Sequence, residues 1–223
     1  MSDLAPRWVC LDVGETLIDE TRVWSVWAET LGIPTMTFLA AFGAVVDRGL
    51  DHASVFDVLG VPDWEAHADE VESRYGGFQP QDLYPDALPA MDAFREAGYR
   101  IAVIANQPAI RDAELRALGV RPDVMAMSET LGASKPEPEF FVRARALMGM
   151  PHPADVAYVG DRPDNDVRPA AAAGMRAVWL RRGPWGYIRS EAPEAHLVVG
   201  SLSELVGRID EVWPVDAARP TLA

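Results

Sequence analysis

Lysine is nearly absent from this sequence. Of its 20 basic residues one is lysine, Lys135, and the other 19 are arginine. Cysteine is equally scarce. Cys10 stands alone inside an apolar run, which excludes an internal disulfide and predicts a buried thiol in a reducing, cytoplasmic setting. Positive charge is in deficit overall, and a formal net charge of −14 predicts no nucleic-acid partner, because phosphate backbones are gripped by basic surfaces. Long hydrophobic runs are missing too. No apolar stretch approaches the roughly 18 residues that a membrane span requires. The stretch MSDLAPRW has no basic segment followed by an apolar one, so neither a membrane anchor nor a secretory leader is expected.

What is present is a chain of 223 residues, 49% of them hydrophobic, enough for one substantial core and an insertion. Apolar runs recur at Trp8–Leu11, Ile101–Ala105, Val124–Met127, Val156–Val159, Ala177–Leu180 and Leu197–Val199. Unbroken runs of this length suit strands covered on both faces. Helical patterns lie between the later runs. In PDALPAMDAFREAG, Asp86 is a candidate cap, Leu88, Met91 and Phe94 fall at helical spacing, and Gly98 is a stop. RDAELRALG and EFFVRARALMG repeat the design. Alternation of strand and helix predicts an α/β fold with a Rossmann-like, doubly wound parallel sheet.

Residues 19–82 break that rhythm. TRVWSVWAETLG, FLAAFGAVVDRG and WEAHADEVESRYGG read as helices with no strand between them. The expected organisation is a core of residues 1–18 and 83–223 interrupted by a helical insertion over 19–82. Its hinges are expected near Leu17–Asp19 and Gly76–Tyr84. The closing stretch PVDAARPTLA, rich in Pro and Ala, is expected to fray.

Chemistry-bearing residues follow successive apolar runs: Asp12 in LDVGETL, Ala105 and Asn106 in VIANQ, Lys135 in GASKPEPEFF, and Asp161 with Asp166 in VGDRPDNDV. Taken singly, Asp12 reads equally well as a helix cap and GDRPDND as a solvated turn. Taken together they point to one crevice, since open α/β sheets bind ligands beyond the carboxyl ends of their strands. Three acids and one lysine suit a hard divalent cation beside a phosphate. A carboxylate can act as nucleophile by forming an aspartyl-phosphate. The lone lysine marks a position that needs a compact ammonium on a flexible stem, which a planar guanidinium cannot imitate.

These stretches resemble the four motifs of the haloacid dehalogenase-like hydrolase superfamily: LDVGETL the first, VIANQ the second, GASKPEP the third and VGDRPDNDVRPAAAAGM the fourth. The helical insertion resembles the cap that members carry after the first motif. The resemblance implies a phosphatase of a small phosphorylated molecule, with Asp12 as nucleophile and Lys135 holding Asp12 and the phosphoryl group. It also implies Mg²⁺ held by Asp12, Asp161, Asp166 and the backbone carbonyl of Gly14, with Asn106 near the substrate. The assembly is expected to be a monomer or homodimer.

Two positions depart from the family pattern. Gly14 stands where family phosphatases carry the aspartate that acts as acid and then base. Ala105 stands where a Ser or Thr hydroxyl holds the phosphoryl group. Substitute proton donors to consider are Glu15, His52 and His67. Trp24, Trp27, Phe38, Phe42 and Trp64 are candidates to line a substrate pocket. One alternative is a weak or inactive member that binds a phosphorylated ligand or a protein. The other is cleavage of a carbon–halogen or carbon–phosphorus bond, as in relatives that lack the second aspartate. The insertion has no lysine for a phosphonatase Schiff base, and the metal-independent dehalogenases lack the acid pair retained here.

Overall fold

The computed structural model describes residues 6–214; of the PVDAARPTLA stretch, everything from Val215 onward lies outside the described residues. Each apolar run forms a strand: β1 (Trp8–Leu11), β2 (Arg100–Ala105), β3 (Val124–Met127), β4 (Val156–Gly160), β5 (Arg176–Leu180) and β6 (Leu197–Val199). All pair in parallel in the order β3-β2-β1-β4-β5-β6. The runs are unbroken because both faces are covered. Val9, Leu11, Val103 and Val159 enter one core, and Cys10, Ile104, Tyr158 and Trp179 enter the core on the other face. Cys10 is a buried free thiol, and burial pushes its pKa up.

The strand order reverses between β1 and β4. Chain leaving β1 goes on to β2 and β3 on one side, while β4, β5 and β6 build the other. Diverging connections leave a crevice beyond the carboxyl ends of β1 and β4. Asp12 is the first residue after β1, and its N–H donates to Val159 O at 2.9 Å, which holds it beside β4.

Between β1 and β2 lie α1 (Thr21–Thr30), α2 (Thr35–Asp47), α3 (Ser54–Val58) and α4 (Ala68–Tyr75), with a tight helical turn at Trp64–His67. None of this segment joins the sheet. It has a separate cluster around Trp27, Phe38, Phe42, Val46 and Phe56, to which the core contributes Trp185. Among the described residues no single helix is long and apolar enough to cross a membrane. The α1–α2 pair passes by length and composition only, bent by 118°.

The two ends of the segment are stitched together. Ile18 bridges Leu83, Asp19 N donates to Asp82 O at 2.7 Å, and Tyr84 N donates to Leu17 O at 2.9 Å. Arg22 locks the junction, donating to Asp82 Oδ1 at 2.8 Å and to the carbonyls of Tyr75 and Gly77 at 2.6 and 2.5 Å. Arg22→Ala leaves the buried Asp82 carboxylate without its cation. The expected loss is about 1.5–3 kcal/mol, the range for hydrogen bonds to charged groups, measured by urea denaturation.

The remaining helices, α5 (Ala87–Glu96), α6 (Ile110–Ala117), α7 (Ser128–Leu131), α8 (Pro138–Leu147), α9 (Arg168–Ala172), α10 (Gly183–Ile188) and α11 (Leu202–Val212), link and flank the strands. One cap expected from the sequence is corrected. Asp86 does precede α5, but its side chain makes no capping bond to that helix. It accepts instead from Arg182 Nη2 at 2.6 Å and from Leu202 N at 2.8 Å, tying α10 and α11 to the core.

Candidate active site

The crevice at the switch point holds the acids read from the sequence. Asp12, Asp161 and Asp166 are all buried, and each offers an oxygen within 4.8 Å of the others. Lys135 Nζ lies between two of them, 2.8 Å from Asp12 Oδ1 and 2.6 Å from Asp166 Oδ1. Burial opposes the ammonium, yet Asp12 and Asp166 hold its pKa above the ordinary lysine value. For Asp12 burial outweighs Lys135 and pushes the carboxyl up to about 6. Asp161 is raised well above the usual carboxylate range by burial and then by Asp166 and Asp12. Asp161 Oδ2 is buried with no hydrogen-bond partner.

Local backbone explains these placements. Gly160 closes β4, and a Cβ there would come within 2.4 Å of the Asp166 carboxyl carbon, so only glycine lets Asp166 fold back under the strand end. Asp166 Oδ2 accepts from Arg162 N at 2.9 Å. Both Asp166 oxygens are thereby engaged, one by Lys135 and one by this turn.

Asn106 does not have the free side chain expected of a substrate ligand. Its Nδ2 donates to Lys135 O at 2.9 Å and its Oδ1 accepts from Lys135 N at 2.8 Å. The amide therefore fixes the backbone that carries the lysine. Ala105 ends β2 without a hydroxyl, as its sequence states.

A cavity of about 640 Å³ opens over the crevice, with Asp12, Lys135 and Asp161 on its core side and Trp24, Trp27 and His52 on the side of the helical segment. Phe38, Phe42 and Trp64 pack within the segment's cluster instead. The substitute proton donors separate. Glu15 Oε1 accepts from Glu20 N at 3.1 Å and Oε2 accepts from Tyr84 O–H at 2.5 Å. Gly183 makes room for that carboxylate, since a Cβ there would approach it within 2.5 Å, so Glu15 serves as a buried strut. His52 sits 3.3 Å from Arg162 Nη1 with its ring edge on Trp24, and burial lowers its pKa. His67 is not among the residues lining the cavity.

Among the lining residues missed from the sequence are Glu20, Arg111 and Arg162. Arg111 bridges Glu72 of α4 at 2.5 Å and Glu114 of α6 at 2.8 Å, joining the helical segment to the core. Arg162 lies over the Trp185 ring at 4.5 Å and pairs with Asp164 at 2.9 Å. Glu20 is pushed up to about 7 by burial, then by the charges of Glu15 and Asp12. Arginine spread along a chain gives no hint of which guanidiniums turn inward.

The family model for haloacid dehalogenase-like hydrolases matches residues 6–174. The chain belongs to this family. A phosphoserine phosphatase of Thermus thermophilus is 31% identical over 84% of this chain and 74% of its own length. A glyceraldehyde 3-phosphate phosphatase of Methanopyrus kandleri is 36% identical over 46% of this chain, a match that spans 45% of that relative's length. Among solved structures, a HAD phosphatase of Thermococcus onnurineus superposes with a TM-score of 0.60 at 24% identity, over 91% of this chain and 97% of that one. At that identity the superposition establishes the fold. This HAD-like hydrolase thus carries Asp12 and Asp161 at the ends of the strands that flank the switch point, and Lys135 reaches Asp12 from the loop between α7 and α8.

Proposed function

We propose that this HAD-like hydrolase is a Mg²⁺-dependent phosphohydrolase of a small phosphorylated molecule, working through an aspartyl-phosphate at Asp12. The observation that carries the reading is the orphaned Asp161 Oδ2, buried beside Asp12 and Asp166 with nothing to bond. A lone carboxylate oxygen in such a place is costly unless a cation meets it. The donor set, all hard oxygens, suits Mg²⁺. Asp12, Asp161 and Asp166 with the Gly14 carbonyl would hold the ion. Bound there, Mg²⁺ would offset the charge that develops on the transferring phosphoryl group.

The chain's own residues account for the rest. Asp12 is held at the strand end with one oxygen on Lys135, leaving the other to attack phosphorus. Lys135 keeps two negative groups from repelling one another and stabilises the added charge. Asp166 and Asn106 hold the lysine in position, from its ammonium and from its backbone. The helical segment acts as a cap, closing over a cavity of about 640 Å³, a size that fits a small metabolite rather than a polymer. The named relatives, phosphatases of phosphoserine and of glyceraldehyde 3-phosphate, support this substrate class.

Calorimetry tests the metal site. Wild-type protein is expected to bind one Mg²⁺ per chain, and Asp161→Ala to weaken that binding by at least about 10-fold, the smallest effect usual even for groups that only support a ligand. Equal affinity in the two proteins would remove the metal site from this reading.

A further inference from the structure

Gly14 raises the question that the family pattern leaves open, because no side chain at that position can pass a proton to the leaving group. Its φ lies outside the left-handed region, so the glycine is not required by backbone strain. What bears on it is the space beside it. A Cβ at position 14 would lie 2.4 Å from Glu20 Oε1 and 2.8 Å from its carboxyl carbon. The Glu20 carboxylate therefore occupies the volume into which a residue-14 side chain would project.

The rest of Glu20's setting agrees. It is the residue immediately before α1, yet its side chain makes no capping bond to the helix. An acid at a helix start ordinarily turns to the free N–H groups there; this one turns away. It lines the same cavity as Asp12 and Lys135. Its carboxylate takes side-chain hydrogen bonds from Trp24 and, at a long 3.5 Å, from Gln107 Nε2, and both donors lie on the cavity wall. Glu15, by contrast, has both oxygens engaged, and one of them accepts the Glu20 backbone N–H and so fixes where Glu20 starts.

Resting on the phosphohydrolase reading, we propose that Glu20 is the catalytic acid and base, delivering from the start of the helical segment the carboxyl that other phosphatases of the family deliver from two residues after the nucleophile. In the first half-reaction an Asp12 oxygen forms a bond to phosphorus. The bond from phosphorus to the leaving oxygen breaks, and that oxygen keeps the electron pair and takes the proton of the Glu20 carboxyl. In the second, a water oxygen attacks the phosphorus of the aspartyl-phosphate. The water gives a proton to the Glu20 carboxylate, and the bond from phosphorus to Asp12 breaks with its electron pair returning to Asp12. The sum is ester plus water to alcohol plus phosphate, with Glu20 and Asp12 restored.

The test compares two probes in the presence of Mg²⁺: propyl phosphate, whose leaving oxygen needs a proton, and 4-nitrophenyl phosphate, whose leaving oxygen does not. Glu20→Gln is expected to slow propyl phosphate turnover by about 10²–10⁴-fold, the usual worth of a positioned proton donor. Release of nitrophenol in the first turnover is expected to change little, while the adduct on Asp12 accumulates because its hydrolysis has lost a base. A structural role alone would slow both probes alike. Gly14→Asp in an otherwise wild-type chain is expected to lower turnover, since the new Cβ overlaps Glu20, and Gly14→Asp with Glu20→Ala to exceed Glu20→Ala on propyl phosphate. Glu20→Gln with both probes unchanged, or Gly14→Asp faster than wild type, would overturn the assignment while leaving the phosphohydrolase reading intact. Glu20→Gln protein that forms no adduct with acetyl phosphate and Mg²⁺ would overturn both.

Discussion

Asp12→Asn is expected to abolish both turnover and the covalent phosphoenzyme. An amide oxygen carries no charge and is a poor nucleophile, and removing the attacking group of an enzyme typically costs on the order of 10⁴–10⁶-fold in kcat. The site's geometry adds to this. Lys135 is drawn 2.8 Å from Asp12 Oδ1 by charge, and an asparagine would leave the ammonium paired with Asp166 alone. Intact-mass measurement after incubation with acetyl phosphate and Mg²⁺ reads the adduct directly. It should be short-lived in wild type, accumulate in Glu20→Gln, and be missing when Asp12→Asn is added to that variant. An adduct that survives the substitution would show that another residue is the nucleophile.

Lys135→Met has the largest expected effect on stability. Among the described residues Lys135 is the one cation that pairs with Asp12 and Asp166, which are 7% and 0% exposed, and Asp161 beside them is 2% exposed. Methionine fills much of the stem's volume against Phe140 and Tyr158 but leaves the carboxylates without a counter-charge. Breaking a buried ion pair from one side costs about 3–5 kcal/mol. At about 2–4 °C per kcal/mol for a chain of this size, the melting temperature in EDTA should fall by about 6–20 °C. Lys135→Arg should not restore it fully, since a planar fork replaces a point charge in an enclosed space. A melting temperature unchanged in Lys135→Met would mean that the acids are already neutral in the folded protein.

The strands and their ends were legible because a doubly covered parallel strand writes itself as an unbroken apolar run. The residue after the run is then the one at the crevice, which is how Leu11 hands over to Asp12 and Gly160 to Asp161. Lys135 was legible through scarcity. Glu20 was not. An acid before a helix reads as a cap or a partner of the helix dipole, and only the path of the chain through Asp19 turns its carboxyl toward Gly14. Asp86 misled for a similar reason. Its sequence neighbours suggest a local cap, whereas its partners, Arg182 and Leu202, lie 96 and 116 positions away. Asn106 lines the cavity, but its bonds to the Lys135 backbone were not legible, since they depend on how the loops after β2 and β3 meet.

The stitching of Ile18 to Leu83 and of Asp19 to Asp82 makes everything between them a closed loop whose two ends meet at one point on the core, with side-chain contacts such as Arg111 to Glu72 and Trp185 to Phe42 steadying it elsewhere. Loop-closure entropy grows only with the logarithm of loop length, about 0.6 kcal/mol for each doubling. The sheet is therefore nearly indifferent to how large the looped segment is, and an apolar cluster completed by Trp185 of α10 holds the segment's shape. Such an element can be lengthened, shortened or exchanged between relatives without disturbing the strand that carries Asp12. The splice point then decides the chemistry. A graft joined after Glu20 retains this chain's carboxylate opposite Gly14, while one joined at Asp19 discards it and must bring an acid of its own.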